Sequence, residues 1–141
     1  MNKKVVVILA VATVIGVALG TYAVTTLMGT DSVQSFDKTL VQLADTLNAN
    51  LPMMLDKETR FDATFPGPGN RFTYIYTLLN YSKADVDPEV LRRNIQPQIL
   101  ANYKSHPEMK SFRDHDVELH YQYKDKSGIF MLEIVVSPKD F

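Results

Sequence analysis

Apolar and polar positions alternate along this chain in three rhythms, and each rhythm predicts a different kind of element. From Val5 to Thr30, "VVVILAVATVIGVALGTYAVTTLMGT", no Asp, Glu, Lys, Arg or His interrupts the run. About 20 apolar residues let a helix cross a bilayer, so this segment predicts an N-terminal membrane helix. In "DSVQSFDKTLVQLADTLNANLP" the rhythm changes: Val33, Phe36, Leu40, Leu43, Ala44 and Leu47 recur at helical spacing, with Asp31 or Ser32 placed as N-cap. Asn48 to Pro52 ends this amphipathic helix, because a residue before proline avoids helical geometry.

The third rhythm has period two. Thr59, Phe61, Ala63 and Phe65 alternate with Glu58, Arg60, Asp62 and Thr64, "PGPGN" breaks the chain, and alternation resumes from Arg71 to Tyr81. That pattern predicts a β-hairpin with a wide loop. In its second strand Phe72, Tyr74, Tyr76 and Leu78 share one face and Thr73, Ile75, Thr77 and Leu79 the other; neither is strongly polar, which predicts a central strand.

A second helical region opens at "DPEVLRRNIQPQILANY", with Asp87 as cap, Pro88 in the first turn, and Val90, Leu91, Ile95, Ile99 and Leu100 as its stripe. Pro97 is expected to kink or split it. Ser105 and Glu108 of "SHPE" read as a capping box that opens a short helix through Phe112. Last, Val117, Leu119, Tyr121 and Tyr123 alternate with polar neighbours, "DKSG" turns the chain, and Phe130, Leu132, Ile134 and Val136 return on one face. This predicts a hairpin with one solvated side.

The order of elements predicts an α+β fold: an N-terminal membrane helix over residues 1–30, then a two-layer domain over residues 31–141. In that domain a four-stranded, mostly antiparallel sheet carries helices on one face. Phe72, Tyr74 and Tyr76 would wall the core with Tyr121 and Tyr123, their hydroxyls reaching the sheet rim.

Composition adds an address. The 141 residues leave room for one domain and an appendage, and a net charge of −1 gives no attraction to nucleic acid. Lys3 and Lys4 precede the apolar run, and lysines prefer the cytoplasmic side, so the N-terminus stays inside and the domain is exported to the bacterial periplasm on a single inner-membrane span. The alternative is cleavage after "ALG" at Gly20 or "TYA" at Ala23, which would free the domain. Ala12, Gly16 and Gly20 recur every four residues and form a small-residue face where a second helix could pack; the same spacing also arises by chance in an Ala- and Gly-rich segment. All sixteen acidic but only thirteen of the fifteen basic residues lie beyond Thr30, leaving the exported part at −3. The chain has no cysteine, which removes a disulfide, a lipid-bearing cysteine, a thiol nucleophile and a thiolate metal site.

Candidate chemistry is sparse, and neither a catalytic residue nor a cofactor or metal site is assigned. "PGPGN" contains prolines that lack the amide donors of a phosphate cradle, so it is a turn. "RDHDVELH" crowds Asp114, His115, Asp116, Glu118 and His120; a strand from Asp116 would align Asp116, Glu118 and His120, which could move protons or hold a divalent ion, or could simply be the solvated side of a strand. In "TRFD", Arg60 and Asp62 could form a charge ladder with Arg71, or Arg60 and Arg71 could grip an anion. The remaining candidate is the sheet face opposite the helices, with Thr73, Ile75, Thr77, His120, Gln122, Met131, Glu133 and Val135, a mixed surface suited to a protein partner or a second copy.

The runs "LNANLPMMLDKETRFD", "FTYIYTLLNY", "SHPEMK" and "YQYKDKSGIFMLEIVVSPKDF" resemble a group of small bacterial exported proteins that share a Leu-Pro, Asp, Thr-Arg, Asp run followed by a Tyr-x-Tyr-Thr-Leu strand. The likeness covers about Ala44 to Phe141 and implies no particular activity. It does imply a cysteine near Lys104 and another at the C-terminal end, where this chain has Phe141. Together these readings predict a non-enzymatic accessory protein of the envelope that binds another component. A periplasmic immunity or inhibitor protein is the alternative, and a hydrolase built on the His115 to His120 cluster is the third.

Overall fold

A computed structural model describes residues 33–141. The predicted membrane helix, with Ala12, Gly16 and Gly20, lies outside the described residues, as do the caps Asp31 and Ser32. No helix among the described residues is long and apolar enough to cross a membrane.

Helix α1 (Val33–Asn48) is followed by β1 (Met53–Met54), β2 (Thr59–Pro66) and β3 (Arg71–Leu78), then by α2 (Pro88–Ser105), a 3₁₀ turn (Pro107–Met109) and α3 (Lys110–Asp114). Strands β4 (Glu118–Lys124) and β5 (Phe130–Val136) and a final 3₁₀ turn (Pro138–Asp140) complete the chain. The sheet is five-stranded and mixed, in the order β1-β2-β3-β4-β5, which corrects the four-stranded, mostly antiparallel arrangement expected from the sequence. The additional strand is two residues long, too short to show alternation, and pairs Met53 with Phe61 and Met54 with Arg60. The second difference is at the centre, where β3 and β4 run parallel. A parallel pair needs a long crossover between its strands, and the segment through α2 and α3 supplies it.

The helix signals differ in how well local chemistry matches them. Asp87 accepts a hydrogen bond from the Glu89 amide at 2.9 Å, and Pro88 occupies the first turn. Pro97 neither splits nor ends α2, which is continuous across it. Pro97 and Arg93, whose carbonyl it leaves without a helical partner, are both exposed to water. Ser105 is no capping residue: it ends α2, and its hydroxyl donates back to the Ala101 carbonyl at 2.7 Å.

Phe61, Phe72, Tyr74, Tyr76, Leu119, Tyr121, Tyr123, Leu132 and Ile134 meet Phe36, Leu40 and Leu43 of α1, Leu91, Ile95 and Ile99 of α2 and Phe112 of α3 in one buried cluster. In the parallel register Tyr74 faces Tyr121 and Tyr76 faces Tyr123. Their rings stack at 5.1 Å and 5.2 Å. The expectation that these hydroxyls reach the rim is wrong: those of Tyr74, Tyr76, Tyr121 and Tyr123 are buried and have no hydrogen-bond partner. Burial raises all four phenol pKa values. Tyr103 differs, donating to the Val117 carbonyl at 2.6 Å and so tying α2 to the entry of β4.

On each side of the sheet one strand residue is covered by a side chain from a helix. Asn48 accepts from the Thr64 amide at 2.8 Å and donates to the Thr64 carbonyl at 3.0 Å, completing β2 beyond the reach of β1. Arg92 donates to the Glu133 carbonyl of β5 at 2.7 Å. Such covering protects a sheet from strand addition. At the C-terminus, Lys104 Nζ lies 5.7 Å from the Phe141 ring centroid and Tyr103 meets that ring edge-on, so the two regions are neighbours without a covalent link.

The contrast between bonded and unbonded hydroxyls is testable by chemical denaturation. Tyr103→Phe is expected to lose roughly 1 kcal/mol, the net worth of one hydrogen bond, while Tyr121→Phe is neutral or stabilising because it removes a polar atom that burial leaves unsatisfied.

Candidate functional site

With the tyrosine face packed under the helices, alternation sends the other set of side chains to the open face. Registration orders them in rows. Phe65, Thr73, His120 and Val135 form one row; Ala63, Ile75, Gln122 and Glu133 form the next; and Met54, Arg60, Thr77, Lys124 and Phe130 form the row nearest the β4–β5 turn. Seven of the eight residues expected on this surface therefore share it. Met131 does not join a row: an irregularity at Tyr123/Lys124 pairs Lys124 with Phe130, and Met131 is withdrawn to 4% exposure. Thr73, Thr77 and His120 are also buried, so the accessible apolar groups are Met54, Phe65, Phe130 and Val135, with Ile75 partly covered.

His120 sits at the centre of a polar network. Its Nε2 lies 2.6 Å from Glu118 Oε1 and its Nδ1 lies 3.1 Å from Glu133 Oε1. Gln122 Nε2 donates to the other Glu133 oxygen at 2.6 Å, and Arg71 approaches Glu118 at 3.8 Å. Burial by itself would raise the Glu133 pKa, but hydrogen bonds from Gln122 and His120, with the charges of His120 and Arg71, hold it below its ordinary value.

A second network surrounds Asp62, next to the β2 irregularity between Phe61 and Ala63. Arg60 Nε donates to Oδ1 at 2.5 Å, Thr77 Oγ1 donates to Oδ2, and Lys124 Nζ stands 3.7 Å from Oδ2. Arg60 and Arg71 cannot grip one ligand: Arg60 is opposite Thr77, six residues along β3 from Arg71, a separation of about 20 Å. Arg71 instead pairs with Glu118, so no three-residue ladder forms.

The "RDHDVELH" cluster is taken apart by the turn into β4. Asp114 bonds Lys110 at 2.5 Å, which lowers its pKa. His115 stacks on Phe36 with ring centroids 3.8 Å apart, and its Nδ1 lies 2.8 Å from the Ser111 carbonyl. Asp116 has φ 53 and stands in the turn, not in the strand that would have aligned it with Glu118 and His120. Among the described residues no group of three or more His, Cys, Asp and Glu is arranged to hold a metal ion.

The surface expected from the sequence left out Met54, Arg60, Ala63, Phe65, Lys124 and Phe130. Lys124 was legible in the strand alternation, beyond Gln122, whereas alternation groups Ala63 and Phe65 with the buried Phe61, and only the irregularity in β2 turns them out. Phe130 carried no such signal, since alternation assigns it to the core side and only the irregularity in the second hairpin turns it out.

Residues 34–131 match the family described as Domain of unknown function (DUF8479). No curated protein is a significant match to the chain. Three solved structures share the fold. A candidate secreted protein from Pseudomonas aeruginosa has a TM-score of 0.58 at 14% identity, covering 76% of this chain and 95% of its own. The type II secretion system pilotin AspS from Vibrio cholerae has 0.56 at 11%, covering 77% and 94%. The pilotin EpsS of the Vibrio vulnificus type 2 secretion system has 0.58 at 10%, covering 75% and 91%.

The Glu133 environment makes stability depend on acid. A carboxyl whose folded pKa lies below its unfolded value of 4.5 contributes stability that is complete above 4.5 and lost as pH falls through the depressed value. Glu133→Gln is therefore expected to show a shallower fall in stability than the parent below about pH 4.5, measured by denaturant unfolding across pH 3–7.

Proposed function

The chain belongs to the DUF8479 family, and we propose that it is a non-enzymatic accessory protein of the bacterial envelope that binds another protein through the open face of its sheet. The observation that carries this reading is the face itself: among the described residues no helix packs on it, and Phe65, Val135 and Ile75 flank a His120 whose polar neighbours are already satisfied. A surface of apolar groups among internally paired polar ones suits a protein partner, because little unpaired charge has to be desolvated on contact. The residues that might have supported hydrolysis are instead distributed among a helix end, a turn and a strand.

Export is supported by the uncharged run Val5 to Thr30 behind Lys3 and Lys4. The fold shared with two pilotins of type II secretion systems and with a candidate secreted protein is consistent with work in an envelope or secretion assembly. The covered strand residues Thr64 and Glu133 favour contact through the face over addition of a strand.

The test is crosslinking of the full chain in native envelopes, with mass spectrometry of the adducts. Ile75→Lys and Val135→Lys, each checked for unchanged circular dichroism, are expected to remove the dominant protein adduct. Retention of every adduct in both variants would sink the face as the working surface.

A further inference from the structure

The row of the open face nearest the β4–β5 turn differs in character from the other two. Registration sets Met54 of β1, Arg60 of β2, Thr77 of β3, Lys124 of β4 and Phe130 of β5 side by side, one residue from each strand. Its ends are apolar and open, Met54 and Phe130 each being 50% exposed. Between them stand two cations that share one carboxylate: Asp62 takes Arg60 Nε at 2.5 Å and faces Lys124 Nζ at 3.7 Å. The nearest acid of the adjacent row, Glu133, is engaged with His120 and Gln122. The row therefore carries one positive charge more than it neutralises, on a domain whose exported part is acidic.

We infer that this row binds an acidic segment of a protein partner, with two carboxylates set over Arg60 and Lys124 and an apolar side chain at each end over Met54 and Phe130. The inference rests on the reading of the open face as a binding surface and names the chemistry of what binds. Strand spacing gives the dimensions. Five strands span four gaps, about 19 Å, which is the length of about six extended residues. Arg60 and Lys124 are two gaps apart, about 10 Å, which a polyproline II chain covers in one turn of three residues, so that the two acids face the same way. The matching segment thus has an apolar-acid-x-x-acid-apolar order. A line of groups laid across a sheet fits such a segment better than it fits a lipid surface, which would reward basic residues spread over a plane. The Arg60 guanidinium keeps its terminal nitrogens available, since only Nε is committed to Asp62, and it can meet a carboxylate side-on.

The probe is a fluorescein-labelled hexapeptide, Leu-Glu-Ser-Ser-Glu-Leu, titrated by anisotropy against the full-length protein in detergent. Saturable binding that falls tenfold or more in Arg60→Gln and in Lys124→Gln, weakens as salt rises, and declines in Phe130→Ser is the expected result. The glutamine variants keep a polar, hydrogen-bonding side chain and leave Asp62 its Thr77 donor, so they are expected to fold, which circular dichroism checks. The inference is overturned if the peptide does not bind, if both glutamine variants bind as the parent does, or if Leu-Lys-Ser-Ser-Lys-Leu binds equally well. It is also overturned if only vesicles containing phosphatidylglycerol bind and the same variants abolish that binding. Loss of crosslinked complexes in Ile75→Lys with none lost in Lys124→Gln or Arg60→Gln would leave the open face as a binding surface and remove this row from it.

Discussion

The parallel pairing of β3 with β4 is the constraint from which the rest of the domain follows. Because strand side chains alternate with period two, one register decides both faces at once. Setting Tyr74 against Tyr121 and Tyr76 against Tyr123 stacks four rings in the core, and the same register must then set Thr73 beside His120, Ile75 beside Gln122 and Thr77 beside Lys124 outside. A slip of one residue would move the rings to water and the polar rows under the helices. Buried aromatic pairs contribute about 0.5–1.5 kcal/mol beyond the area they bury, so the ladder holds the register that the open face depends on.

That open face is held by polar groups that largely satisfy one another. Exposed ion pairs such as Arg71 with Glu118 contribute about 0–1 kcal/mol and say little about stability. His120 and Asp62 differ because they are shielded, His120 by Glu118 and Glu133 and Asp62 by Arg60, Thr77 and Lys124. Leaving a shielded group without its partners costs more than the pair gains in forming, which keeps these side chains in place and orders the surface around them. The consequence is a face whose accessible members, Phe65, Ile75, Val135, Met54 and Phe130, stand on a fixed polar floor.

The ends of the sheet and of the helices use the same economy. Asn48 closes α1 and, with both ends of its amide, also completes β2 at Thr64, so one side chain serves two elements. Asp125 does likewise in the β4–β5 turn, accepting from Ser127, Ile129 and Lys83, hydrogen bonds that lower its pKa and tie the turn to the loop after β3. These ties keep the row from Met54 to Phe130 in line.

What the sequence determined by itself is what depends on neighbours a few residues apart. The helical stripe of α1, the Asp87 and Pro88 start of α2, both hairpins and the side of the sheet taken by each tyrosine follow from periods of 3.6 and 2 and from turn chemistry, all local properties of the chain. Tertiary structure decided what depends on residues far apart. The parallel centre joins strands separated by about forty residues, and nothing within either strand specifies its direction relative to the other. β1 exists only because β2 offers an edge, too short a pairing to leave a pattern. The irregularity that buries Met131 and exposes Phe130, and the separation of His115 from His120, arise where a turn had to meet a packed layer. Alternation assigns a residue to a face, but only packing decides whether that residue stays accessible or is covered by its neighbours, and the working surface is made of that difference.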